Sequence, residues 1–442
     1  MNKKIIITLI AALLFIAIFA GLMARHIPPK TPTYAQINNT LSSEWANSKN
    51  DLGKVKIAVL YETVTDGGLY GRSDEEAISV INETKADFIF RGFWRWAEVP
   101  DSCGQINSAS LAKQCKISGH SYEQLANMIA KIKQENPNII FTGAIPAQII
   151  QRQAIWNPKT GEIINYPETW NMALDPGKWG INMSKEKFQC EFGKTQSWVP
   201  NDFDCRLYDP SSVPAYFPDI TNPEYRKLLI SWGERQIDAG ADGVWIDMLT
   251  SNSGFLARLT KDINHPGVKA TYEATNGIVD ELHEYGKSKN RTVFIGTWSP
   301  SSLYPYAPAN YDFVTISPRI EEVRAMKLNE SRWDSEITSI RQRFGSIPVF
   351  VFIDWASTTN TQLGAFSQAL TKEQQSEFLT SADNFFTSRG FIFIYPLHGG
   401  WMGEDATVLS FGKLRYYDSL APEFDTYQTI KELANNKARI SD

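Results

Sequence analysis

The stretch AGADGVWIDML, residues 239–249, runs through Val244, Trp245 and Ile246 and stops on the carboxylate of Asp247. A buried carboxylate without partners is costly, so this one is expected where its charge has work to do, at the end of a short buried strand, Gly243–Met248. Upstream lies a helix over Pro223–Ala239. Thr221 or Asn222 can cap it, Pro223 suits its first turn, and Tyr225, Leu228, Leu229 and Trp232 recur at i, i+3, i+4 and i+7 as one buried stripe.

The same alternation of strand and helix extends along the chain. Beside Gly243–Met248, the runs read as strands are Val55–Tyr61, Phe88–Phe93, Ile139–Gly143, Thr292–Thr297, Phe313–Ser317, Val349–Ile353 and Phe391–Tyr395. Helices are read over Tyr122–Glu135, Lys269–Ser288, Ser335–Phe344 and Lys372–Ser388. Eight strands in βα alternation predict an α/β fold, a closed (β/α)8 barrel over residues 54–435. Residues 148–218, rich in Trp, Pro and Asn, form an elaborated loop region after the third strand.

The N-terminus has a different character. Lys3 and Lys4 precede an uncharged run from Ile5 to Met23, long enough to cross a bilayer. Residues 1–24 are read as a membrane anchor or a cleaved signal, and residues 25–53 as a tether. Either way the barrel is expected on the extracytoplasmic side. The four cysteines agree: the simplest pairing is local, Cys103 with Cys115 and Cys190 with Cys205, as disulfides of an oxidising compartment. Zinc is the alternative, but the spacing lacks CxxC or a His pair.

The chain has 442 residues and a formal net charge of −5 without long runs of either sign, so no nucleic-acid partner is expected and membrane contact is confined to the N-terminal segment. Thirteen Trp and 17 Tyr suit an aromatic core and also stacking against flat apolar ligand faces.

In such a barrel the active site lies at the C-terminal ends of the strands. Polar residues there are Glu62, Arg91, Trp94, Asp247, Trp298, Glu321, Glu322, Asp354, Trp355, Tyr395 and His398. Carboxylates and aromatics dominate, which suits cleavage of a glycosidic bond by two carboxyl groups, one donating a proton and one attacking or activating water. Asp247 is the candidate nucleophile or base. Glu321, Glu322 and Asp354 are candidates for the acid. Glu62, Arg91, Trp94, Trp298, Trp355, Tyr395 and His398 are candidates for binding substrate, and Asp219 is read as a capping residue. No metal or organic cofactor is expected.

The segment FPDITNPEYRKLLISWGERQIDAGADGVWIDML, residues 217–249, resembles the D-x-T-N-P-x-(Y/V)-R, helix, G-x-D-G-(V/I)-x-(I/L)-D segment of TIM-barrel glycoside hydrolases, particularly the hypothetical glycosidases near the endo-α-1,4-polygalactosaminidase group. The resemblance implies a carbohydrate substrate, Asp247 as nucleophile and an acid from a later strand end. A non-catalytic carbohydrate-binding barrel is the alternative; a second carboxyl group across the cleft separates the two.

Overall fold

The structure, a computed structural model, describes residues 52–157, 162–298, 304–354, 360–401, 410–411 and 414–439. The expected anchor and tether, and Trp355, lie outside them. Among the described residues no helix is long and apolar enough to cross a membrane.

All eight expected strands form, each shifted at its ends by at most a few residues except the last, which is extended. They are β1 (Ala58–Tyr61), β2 (Phe88–Phe90), β3 (Ile140–Pro146), β4 (Gly243–Asp247), β5 (Phe294–Trp298), β6 (Phe313–Ile316), β7 (Val349–Val351) and β8 (Ile392–Trp401). Each pairs in parallel with the next, and β8 pairs in parallel with β1, closing a (β/α)8-type barrel. Five helices stand where they were expected, among them Tyr122–Glu135 and Pro223–Asp238. Asn222 caps the latter, its side-chain oxygen accepting from the Glu224 and Tyr225 amides. The hydroxyl of Thr221 turns instead to Asp219. Between β5 and β6 no helix occurs among the described residues.

Side chains alternate across a strand, and here the alternation sorts two cores. Ala58 and Leu60, Phe88 and Phe90, Trp245, Phe294, Phe313, Phe350 and Phe352, and Ile394 fill the barrel. Their neighbours, including Val59, Ile89, Val351 and Phe393 on one side and Val244, Ile246 and Ile295 on the other, face the helices. The filling is aromatic and layered. Phe88, Phe313 and Phe350 touch in one tier, with Phe88 stacked on Phe350 at 4.6 Å. Phe90, Trp245 and Phe352 form the tier above. The Trp245 indole N–H finds its partner inside the barrel, donating to Thr315 Oγ1 at 3.0 Å. Leu52 and Val55, buried in the same cluster, precede β1 and fill the N-terminal end.

Both expected disulfides form, with Cα–Cα separations of 5.6 Å for Cys103–Cys115 and 5.7 Å for Cys190–Cys205. The second ties the helix Lys185–Thr195 to the turn Cys205–Leu207 within the long excursion after β3. Beyond the barrel mouth β8 continues and pairs antiparallel with Leu414–Asp418, which sets Asp418 opposite His398.

Gly243 starts β4 where no side chain fits. A Cβ there would lie 2.6 Å from the carbonyl oxygen of Phe294, a backbone atom of the neighbouring strand. Gly243→Ala is therefore expected to cost about 1–3 kcal/mol of stability by overpacking. Urea unfolding checks this, and an unchanged midpoint would contradict the close approach of β4 to β5.

Candidate active site

The alternation that fills the barrel continues past its upper tier and delivers polar groups to the mouth. Above Leu60 comes Glu62, above Trp245 comes Asp247, and above Phe352 comes Asp354. Arg91 departs from the rule. One residue after the inward Phe90, it would point outward, but its backbone is left-handed, with φ of 56°. The side chain thereby swings in over the aromatic tier, its guanidinium carbon 4.5 Å from the Trp245 ring centre, 5.2 Å from Phe352 and 4.8 Å from Trp94. Aromatic faces attract such a cation.

The carboxylates gather round this guanidinium. Asp354 Oδ1 lies 3.1 Å from one terminal nitrogen of Arg91 and Glu62 Oε2 lies 3.7 Å from the other. Asp247 is buried, 6% exposed, and accepts a hydrogen bond from the Gln148 side-chain amide. Burial pushes the Asp247 carboxyl up to about 7; Arg91 and Gln148 pull the other way, while Asp354 and Glu62 add to the rise. Burial raises Glu62 as well, against the opposing pull of Arg91. Three acids facing one guanidinium in a water-poor mouth do not all ionise readily. Burial thus lifts both Asp247 and Glu62 above the ordinary carboxylate range.

Three left-handed residues stand at the mouth. Thr63, Arg91 and Met248 follow or sit among the site residues at the ends of β1, β2 and β4, with φ of 62°, 56° and 54°. Left-handed conformations outside glycine cost on the order of 1–3 kcal/mol each and cluster at functional sites.

A second polar group abuts the first. The Glu62 amide donates to the His398 carbonyl at 2.9 Å. His398, inward-facing and 1% exposed, bonds Asp418 Oδ2 through Nδ1 at 2.7 Å, and Arg72 grips the same oxygen at 2.7 Å. Burial alone would raise Asp418, but His398 and Arg72 outweigh it and hold the carboxyl down at about 2. Asp66, raised by burial, accepts from the Tyr70 hydroxyl at 2.7 Å and lies 3.8 Å from His398 Nε2.

The structure thus brings together Glu62, Arg91, Asp247 and Asp354, with Trp94 beside the guanidinium and the half-buried Trp298 edge-on to Phe352 at 5.3 Å. His398 stands behind Glu62. Three expected residues lie elsewhere. Tyr395 follows the inward Ile394 and so faces the helices, packed on Phe393 with the Lys437 ammonium over its ring at 5.1 Å. Glu322 is enclosed: it accepts from the amides of Arg319 and Asn329, from the Trp333 indole and from the Arg332 guanidinium, whose Nη2 lies 2.6 Å away. Glu321 is exposed on the short helix Ile320–Arg324. Asp219 bonds the Thr221 amide and pairs with Lys178. Gln148, Asp66, Arg72 and Asp418 were not anticipated. Among the described residues no group of three or more His, Cys, Asp or Glu is placed to hold a metal ion.

No protein-family model matches the chain, and no curated protein sequence matches it. Among solved structures, it is similar to the glycoside hydrolase domain of PelA from Pseudomonas aeruginosa, with 9% identity over 77% of this chain and 94% of that one and a TM-score of 0.36. It is also similar to the Nostoc punctiforme debranching enzyme, with 12% identity over 82% of this chain and 69% of that one and a TM-score of 0.41. An Anoxybacillus alpha-amylase aligns at 11% identity over 88% of this chain and 80% of that one, with a TM-score of 0.47.

Proposed function

We propose that this chain is a glycoside hydrolase, cleaving a glycosidic bond in a polysaccharide or glycoconjugate at the C-terminal mouth of its barrel. The observation that carries the reading is the convergence of Glu62, Asp247 and Asp354 on Arg91 above an aromatic floor. Hydrolysis of this kind needs one carboxyl group that holds a proton at working pH and one that is ionised. Burial supports Asp247 in the first role: it protonates the leaving oxygen. Contact with Arg91 supports Asp354 in the second, as nucleophile or as the base that activates water. This differs from the expectation from the sequence, in which Asp247 was the nucleophile or base and Asp354 one of three candidates for the acid. Gln148, bonded to one carboxyl oxygen of Asp247, leaves the other to carry the proton. Glu62 and Arg91 orient the sugar, and Trp94 and Trp298 offer it apolar faces. The two disulfides support a working place in an oxidising compartment, and we extend the proposal to a barrel held outside the cytoplasm by residues 1–24.

Asp247→Asn and Asp354→Asn are each expected to lower kcat by about 10²–10⁴-fold on a glycan that the wild type cleaves, with the circular dichroism spectrum unchanged. Unchanged turnover in either variant would contradict the assignment. Wild-type protein that binds glycans and cleaves none would favour a binding protein. With Asp247 as the acid, kcat falls as pH rises through about 7.

The same carboxyl makes stability depend on pH. Its proton affinity is higher folded than unfolded, so its contribution is full below the ordinary carboxyl value of 3.8 and is lost as pH rises through about 7. Measured by thermal unfolding, wild type is therefore expected to lose stability relative to Asp247→Asn across that window. A constant difference between the two from acid to neutral pH would contradict the burial of this group.

A further inference from the structure

Arg91 reaches the mouth only because its backbone is left-handed, so something must hold that conformation. The contacts point to the end of β1. Thr63, itself left-handed with φ of 62° and 2% exposed, donates its amide to the Arg91 carbonyl at 3.1 Å. Its hydroxyl both donates to the Trp94 carbonyl and accepts from the Trp94 amide, each at 3.2 Å. The Val64 amide adds a bond to the Gly92 carbonyl at 2.9 Å. The two strand ends are stitched together over residues 91–94, and both carry the conformation that a side chain least favours. For a β-branched residue such a φ is an outlier. Glycine would take it without strain, so a threonine here earns its place through the hydroxyl.

We propose that Thr63 is a positioning residue of this site: its left-handed backbone and its paired hydrogen bonds to Trp94 hold the inward turn of Arg91 that sets the guanidinium between Glu62 and Asp354. Thr63 does not touch the reacting atoms. It lies immediately after Glu62, so one turn fixes both partners of the ion pair, the carboxylate from its own strand and the guanidinium from the next. The inference rests on reading that cluster as the catalytic centre.

Three variants of the full chain separate this role from a packing role. Thr63→Val keeps the branched shape and loses both hydroxyl bonds; Thr63→Ser keeps the hydroxyl; Thr63→Gly removes the strain and the hydroxyl together. Misplacement of catalytic groups by a fraction of an ångström is enough to slow turnover, so Thr63→Val is expected to lower kcat at least about tenfold with KM changed less than about twofold. Thr63→Ser is expected to recover most of that loss. Thr63→Gly should be as slow as Thr63→Val, although its backbone is relieved. A Thr63→Val enzyme as fast as wild type, or a Thr63→Ser enzyme as slow as Thr63→Val, would overturn the proposal. A wild-type protein inactive on every glycan tested would overturn the hydrolase reading instead. The positioning role is then decided by carbon-13 titration of the Glu62 carboxyl: a midpoint that moves in Thr63→Val and returns in Thr63→Ser supports it, and one that stays in place in both overturns it.

Discussion

A strand can put only every second side chain inside a barrel, and that constraint decides the chemistry of this one. Phe90, Trp245 and Phe352 close the interior as a packed aromatic tier. The next inward positions on the same or neighbouring strands belong to Glu62, Asp247 and Asp354. These carboxyls cannot sink into the rings below, so they stand at the mouth, Asp247 buried and Glu62 and Asp354 partly exposed, around the Arg91 guanidinium.

The electrostatics follow from that crowding. One guanidinium serves three acids, and it lies on the aromatic tier rather than in solvent, where its attraction is less screened. Asp354 has the closest contact. Asp247 is bonded by Gln148 and raised by burial to about 7. In the proposed mechanism this difference makes Asp247 the proton holder and Asp354, in contact with Arg91, the charge holder. Behind Glu62, Arg72 and His398 both bond Asp418 and hold its carboxyl low, while Asp66 beside them is raised by burial.

Much of this was legible in the residues. Buried parallel strands read as short apolar runs bounded by turn residues, and all eight barrel strands were found from that pattern. The strand ends then named Glu62, Arg91, Asp247 and Asp354. Parity was legible too, and neglecting it misplaced Tyr395, which sits one residue from the inward Ile394. The same parity, carried from Ile140 through Ala144 past Pro146, leads to Gln148. Other features needed the fold. Glu322 looked free until Arg332 and Trp333, ten and eleven residues on, closed around it. Asp418 comes to Arg72 from 346 residues away on a returning hairpin, and no local pattern announces such a contact. The left-handed turn of Arg91 was hidden for a related reason: Arg has no special preference for it, and its cause lies on another strand, at Thr63.

In the proposed mechanism the barrel mouth, by withholding water, lifts the Asp247 carboxyl into the neutral range. Carbon-13 titration of the aspartate carboxyls, with Asp247 assigned by its disappearance in Asp247→Asn, measures this directly. The expected midpoint for that carboxyl is about 7. A midpoint at the ordinary value of 3.8 would contradict it, because the buried, proton-holding acid on which the proposed chemistry depends would not exist.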